Sequence, residues 1–112
     1  MYIQTANLAV EERGFDGVEV HSGNGYLPEQ FLSSNINRRT DEYGCSPEKR
    51  CKFVIELVEA TNGDLGENRL ALRLTPFGLY NQARGVKGRN VGPSIPRIKI
   101  QEEANLCTSY RA

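Results

Sequence analysis

The sequence predicts an α/β fold with parallel strands, and three observations support this prediction. A helical pattern at residues 2–13 ends at Gly14, and a short apolar strand at residues 17–21 begins almost at once. A second helical pattern begins near Ser46 and precedes a second strand at residues 69–74. The first strand stops abruptly at polar residues set among glycines. Alternating helices and strands are typical of α/β repeats, whose sites lie where the strands end.

The composition limits the chain to one small domain and excludes several classes of partner. The 112 residues carry 14 basic and 14 acidic side chains, so we expect no binding to nucleic acid or anionic membranes. No apolar run approaches the length of about 20 residues that crosses a bilayer. The N-terminus lacks the pattern of a secretory signal, which favours a cytoplasmic protein.

The cysteine pattern agrees with a reducing compartment. Cys45, Cys51 and Cys107 are odd in number and form no C-x-x-C pair. A disulfide framework or a zinc site is therefore not expected, and we predict reduced thiols and no bound metal.

The elements follow from local pattern and capping. Apolar residues of the first helix recur at helical spacing, and Gly14 supplies a left-handed C-cap. A loop at residues 22–46 contains one short helical turn from Pro28, and a loop of this length indicates a function. Ser46 is a good N-cap and Pro47 fits the first position of the second helix. Its apolar face comprises Phe53, Val54, Leu57 and Val58, and Asn62 with Gly63 is expected to end it.

The second strand alternates cleanly between two faces. Leu70, Leu72 and Leu74 take one face, which should be covered by helices, and Arg73 takes the other. Glu19 and His21 should share that second face on the first strand. A charged side chain on an inner face is costly unless an anion or a polar ligand meets it. Both strands therefore predict a polar site near their carboxyl ends.

The turn after the first strand carries the best candidate site residues. His21, Asn24 and Tyr26 lie within six residues, and His21 is the only histidine in the chain. Beyond residue 85 the pattern changes, because residues 86–112 show no periodicity. We therefore predict two parts, residues 1–85 as a partial barrel with about two parallel strands and residues 86–112 as an irregular, poorly ordered tail.

Several segments of the chain match the motifs of one known family, in the family's order, and together they cover residues 1 to about 85: residues 14–27, residues 30–32, Asn37, residues 39–44, Glu48, Arg50, residues 72–76 and residues 81–85. These segments resemble the old yellow enzyme family, the flavin-dependent ene-reductases, and residues 81–85 are closest to its fungal members. The resemblance implies a fragment of a (β/α)8 TIM barrel that binds FMN at the carboxyl ends of its strands, with NADPH as the reductant.

The resemblance also implies roles for four residues. His21 and Asn24 match the pair that binds the carbonyl oxygen of an α,β-unsaturated carbonyl substrate, Tyr26 matches the catalytic proton donor, and Arg73 matches an arginine that contacts the flavin. Physical chemistry agrees with these roles. Reduction of an enone places negative charge on its oxygen, which two fixed hydrogen-bond donors stabilise. A phenol keeps its proton at neutral pH and can act as an acid.

The chain also departs from the family pattern. Cys45 stands where the family usually has a second glycine, and Lys49 replaces an asparagine. A complete barrel needs about 250 residues, so we expect a truncated barrel that is inactive and does not retain FMN alone. Two alternatives remain open. The chain could be a non-catalytic remnant, or it could need a second chain to complete the barrel. Its open sheet edges could also lead to self-association.

Overall fold

The structure is a computed structural model that describes residues 1–66 and 68–75, and the backbone of one further strand, residues 105–108. Its elements are, in chain order, α1 (Tyr2–Asn7), a π-helical segment (Leu8–Glu12), β1 (Val18–Ser22), α2 (Leu27–Leu32), α3 (Pro47–Leu65), β2 (Leu70–Leu74) and β3 (Asn105–Thr108). The predicted α/β class and both predicted parallel strands are confirmed.

The three strands form one parallel sheet in the order β1-β2-β3. The register pairs Val20 with Leu72 and His21 with Arg73. Because side chains alternate along a strand, Glu19, His21, Ala71 and Arg73 share one face of the sheet, which we call the inner face. This is the arrangement that the alternation of the two strands predicts.

The third strand is a difference from the two strands expected. β3 pairs with β2 in parallel, with Leu72 opposite Leu106. It lies within residues 86–112, where the absence of periodicity predicts only irregular structure. A strand of four residues carries too little pattern to be recognised without its partner. The rest of that tail lies outside the described residues, so the boundary at residue 85 stays a prediction.

The core lies between α3 and the face of the sheet opposite the inner face. Val54 and Val58 of α3 are 0% and 1% exposed, and they belong to one buried cluster with Val20 and Leu72. Leu70 and Leu74 complete the strand side, as the alternation predicts. Burial of apolar side chains stabilises the fold by roughly 1.5–3 kcal/mol each, so this interface fixes which side of the sheet is inner.

Helix α3 begins where the sequence predicts and ends later. The Ser46 hydroxyl accepts a hydrogen bond from the Lys49 N–H at 3.3 Å, which is the predicted N-cap. The expected end at Asn62 and Gly63 is wrong, because the helix continues to Leu65 and Gly66 follows with φ +80°. Leu65 joins Ala6 and Val10 in a second buried cluster. This long-range contact gives the last turn a partner that local sequence does not reveal.

Within the described residues, every helix is too short or too polar to span a membrane.

Candidate active site

The candidate site lies on the inner face, at the carboxyl ends of β1 and β2. The register places His21 opposite Arg73, so the imidazole and the guanidinium belong to neighbouring strands on the same face. Tyr26 follows in the next turn, and its ring centroid lies 5.5 Å from that of His21 at an angle of 54°. Tyr26 is 57% exposed, so its phenol is accessible from solvent.

Arg73 has a charged partner on the inner face. Its Nε and Nη2 donate hydrogen bonds to the two carboxylate oxygens of Glu19 at 2.6 and 3.1 Å. Both side chains are about a third exposed. The sequence predicts that an inward arginine must meet an anion, and Glu19 supplies that anion here. A flavin that contacts Arg73 would therefore lie beside an existing ion pair.

The turn between β1 and α2 contains two consecutive residues with a left-handed backbone, and Tyr26 follows them. Asn24 and Gly25 both have positive φ, at +54° and +75°, a conformation that glycine and asparagine tolerate best. The Tyr26 N–H donates to the Gly23 carbonyl at 3.1 Å, which closes the turn. Tyr26 then caps α2 in an extended conformation. The sequence Asn-Gly is therefore suited to this turn.

Two residues that sequence reasoning missed support this turn. Glu29 is 3% exposed, and its carboxylate accepts hydrogen bonds from the Gly25 N–H and from the Thr75 hydroxyl. Thr75 also accepts a hydrogen bond from the Asn24 N–H at 2.7 Å. The only sequence signal for Glu29 is a charged residue inside the short apolar helix, four positions after Gly25.

The long loop after α2 is tied to its surroundings by Asn37. The amide of Asn37 donates to the carbonyls of Phe31 and Tyr43, both at 2.7 Å. Its oxygen accepts the Arg39 N–H at 3.0 Å. Arg39 also forms a hydrogen-bonded ion pair with Asp41, which lowers the pKa of that carboxyl. The loop is therefore an ordered structural element, and its charged residues hold its own shape.

Helix α3 anchors the same loop from below. Arg50 is 9% exposed, and its guanidinium donates to the Leu32 carbonyl at 3.0 Å and to the Cys45 carbonyl at 2.8 Å. The rings of Phe31 and Phe53 stack with centroids 4.1 Å apart. These contacts fix α2, and thus the turn that precedes it, against α3.

The cysteines of the described residues do not build a second site. Cys45 is exposed and Cys51 is buried, and neither forms a disulfide within the described residues. Burial raises the pKa of the Cys51 thiol to about 11, so it stays protonated and unreactive at neutral pH. The described part of the chain contains no group of three or more His, Cys, Asp or Glu residues arranged to hold a metal ion.

A cavity of about 780 Å³ runs beside β1, at the edge of the sheet that β2 does not occupy. Its walls come from α1, β1 and the start of α2, and both His21 and Tyr26 line it. Phe15 and Leu27 also line it and are 63% and 47% exposed. The site therefore opens directly into an apolar groove along an edge of β1 that no other described strand covers.

The comparison with known families decides the identity of this arrangement. The sequence profile of the NADH:flavin oxidoreductase / NADH oxidase family matches residues 1–103. The chain belongs to this family. The solved structure of Old Yellow Enzyme from Pichia sp. AKU4542 superposes with a TM-score of 0.76 at 38% identity, and it covers 82% of this chain. The expected relation to a TIM barrel of the old yellow enzyme type is thus confirmed.

The relatives are much longer than this chain. Putative 12-oxophytodienoate reductase 5 of Oryza sativa subsp. japonica is 54% identical over 66 residues, which are 59% of this chain and 18% of the relative. Flavin oxidoreductase hxnT of Emericella nidulans is 48% identical over 83 residues, 74% of this chain and 21% of the relative. This chain also matches 24% of the Pichia structure. It therefore spans between about a sixth and a quarter of these proteins.

Proposed function

We propose that the chain carries one wall of an FMN-dependent ene-reductase site, which reduces α,β-unsaturated carbonyl compounds. The observation that carries this proposal is the placement of His21 and Arg73 as register partners on the inner face. The ring of Tyr26 lies 5.5 Å from that of His21. Membership in the flavin oxidoreductase family supports the cofactor.

His21 at the end of β1, with Asn24 and Tyr26 in the turn that follows, suits the chemistry of a conjugated carbonyl. His21 and Asn24 bind the carbonyl oxygen and stabilise the negative charge that grows there during reduction. Tyr26 donates a proton to the α-carbon, so the double bond gains one hydride and one proton. When bound, FMN supplies the hydride to the β-carbon, and NADPH is the reductant.

The residues present fit the redox part of a flavin better than the whole cofactor. Arg73 offers a cation on the inner face, and its pairing with Glu19 keeps the guanidinium oriented. In barrels of this type the phosphate site lies in loops after the last of eight strands, whereas the described residues form three parallel strands. We therefore infer that the 112 residues alone do not retain FMN and are inactive.

The groove beside β1 favours a second candidate, in which another polypeptide completes the barrel. Among the described residues no strand pairs with this edge of β1, and the exposed side chains of Phe15 and Leu27 offer apolar surface beside it. A partner that supplies the missing strands would cover both. A non-catalytic remnant remains the alternative if no such partner restores the site.

We assign the reaction to the cytoplasm. Cys45 and Cys51, the cysteines whose side chains the structure describes, form no disulfide, which agrees with a reducing compartment. The substrate class is a small unsaturated carbonyl compound, and the polar turn offers no feature that selects one member of the class.

The proposal is tested by reconstitution. The chain is co-expressed with a long relative, such as the Pichia enzyme, from which the segment matching this chain has been deleted. NADPH oxidation is then measured with a simple cyclic enone. We expect activity in the pair, a loss of roughly 10²–10³-fold in kcat/KM for His21→Ala, and a loss of at least about 10²-fold for Tyr26→Phe.

Tyr43→Phe is the matched control for Tyr26→Phe. Its hydroxyl donates to Glu56 on the outer surface, away from the inner face, at 3.0 Å. This control should keep the activity of the unsubstituted pair. Equal activity of the Tyr26→Phe and unsubstituted pairs would contradict the assigned proton donor, and an inactive pair that binds FMN would favour the remnant.

A further inference from the structure

We propose that Glu29 and Thr75 are positioning residues that lock the turn at residues 23–26 onto the end of β2. The inference rests on the proposed function, because it assigns a purpose to the position of Asn24 and Tyr26. The geometry itself is independent of any cofactor, since it consists of contacts within this chain.

Glu29 is a buried carboxylate with two named partners. It lies in the first turn of α2 and is 3% exposed. One carboxylate oxygen accepts a hydrogen bond from the Gly25 N–H, and the other accepts one from the Thr75 hydroxyl, at a distance of 3.2 Å. A buried carboxylate needs such partners to offset the loss of hydration.

Thr75 completes the connection from the other side. It directly follows β2, two residues after Arg73. Its Oγ1 accepts the Asn24 N–H at 2.7 Å while it donates to Glu29. The carboxylate and the hydroxyl therefore hold the amides of Asn24 and Gly25, the two residues of the turn with positive φ.

Packing strengthens the same contact. A Cβ added at Gly23 would lie 2.7 Å from the Thr75 Oγ1 and 2.8 Å from its Cγ2, so the turn sits directly on this side chain. The Gln30 side chain also donates to the Gly25 carbonyl at 2.8 Å. These contacts therefore link the turn that holds Tyr26 to the end of β2, which holds Arg73.

The test uses nuclear magnetic resonance of the full chain and requires no flavin. Because His21 is the only histidine, its imidazole protons are readily assigned. Two readouts report the turn: the nuclear Overhauser effect between the His21 and Tyr26 rings, and hydrogen exchange of the Asn24 and Gly25 amides. The substitutions are Thr75→Val, which removes the hydroxyl, and Glu29→Gln, which cannot accept from both donors.

We expect Thr75→Val to accelerate exchange of the two amides by roughly tenfold and to weaken the ring contact, while α3 amides keep their protection. Glu29→Gln should also accelerate hydrogen exchange in the turn, mainly at the Gly25 amide, which donates to this carboxylate. Thr75→Ser keeps the hydroxyl and should restore both readouts. Thr61→Val removes a buried threonine hydroxyl that bonds the Leu57 carbonyl within α3, and should leave the turn unchanged.

Unchanged exchange and ring contact in Thr75→Val overturn the proposal. So does equal loss of protection in the turn and in α3 for both substitutions, because that outcome describes a general structural role. Unprotected Asn24 and Gly25 amides in the unsubstituted chain overturn it as well. A failure of reconstituted enone reduction would reject the proposed function and leave these readouts intact, so the two can be told apart.

Discussion

At the residue scale, Cys45 shows how a single departure from the family pattern affects the fold. Its φ is +67°, a conformation that costs a residue with a Cβ about 1–2 kcal/mol. The resemblance expects glycine here, and glycine adopts this φ freely. The carbonyl of Cys45 still accepts the buried Arg50 guanidinium at 2.8 Å, so the backbone is held in place despite the strain.

Cys45→Gly should therefore raise the free energy of unfolding by roughly 0.5–1 kcal/mol, because relief of strain exceeds the added entropy of the unfolded chain. Urea unfolding followed by circular dichroism measures the change. Cys45→Ala keeps the Cβ and removes the thiol, so it should give no comparable gain. Equal stabilisation by alanine would locate the cost in the thiol and contradict the backbone explanation.

The residue scale also shows what alternation and spacing can predict. The alternation in both strands, residues 17–21 and 69–74, predicts that His21 and Arg73 lie on the face opposite the apolar side chains, because side-chain direction in a strand is a local property. The pairing of Arg73 with Glu19 was not predicted, since it depends on the register between two distant strands. The burial of Glu29 likewise depends on a distant residue, Thr75, so the local sequence does not predict it.

Among the elements of the fold, the loop between α2 and α3 is the one whose ordered structure the sequence pattern predicts least well. The charged run at residues 38–42 is most simply a solvated loop, and Arg39 and Asp41 are indeed about half exposed. Its order comes from Asn37, whose amide reaches the carbonyls of Phe31 and Tyr43. Such contacts between backbone and side chain leave no periodic signal in the sequence.

Asn37→Asp removes both amide donors and turns a carboxylate toward two carbonyl oxygens. We expect the free energy of unfolding to fall by about 1–3 kcal/mol, as for buried groups left unsatisfied. Chemical unfolding gives the value. Thr40→Asp adds the same charge at an exposed position of the loop and should change stability by less than about 0.5 kcal/mol. Similar losses for both substitutions would assign the effect to charge alone.

The two ends of α3 differ in the same respect, because one is set by local residues and the other by a distant contact. The start of α3 follows from Ser46 and Pro47, whose capping is local, and the structure confirms it. Its end depends on the burial of Leu65 with Ala6 and Val10, which lie near the N-terminus of the chain. The local sequence therefore predicts the wrong end. β3 was missed because its partner, β2, lies more than thirty residues earlier.

At the scale of the whole molecule, the described sheet has an open edge beside the candidate site. β1 is an edge strand with an apolar groove along it, and both His21 and Tyr26 line that groove. Small parallel sheets with uncovered edges are marginally stable and prone to association. In the proposed function, this edge is where a partner chain would add the missing strands of the barrel.

Flavin retention tests most directly whether the chain needs the missing strands of the barrel to bind FMN. The chain is purified alone and as a pair with the Pichia enzyme that lacks the matching segment. Both samples are incubated with FMN, and bound flavin is measured by visible absorbance after gel filtration. We expect a colourless isolated chain and a pair that retains about one FMN per complex. Stoichiometric FMN on the isolated chain, or none on an assembled pair, would contradict this expectation.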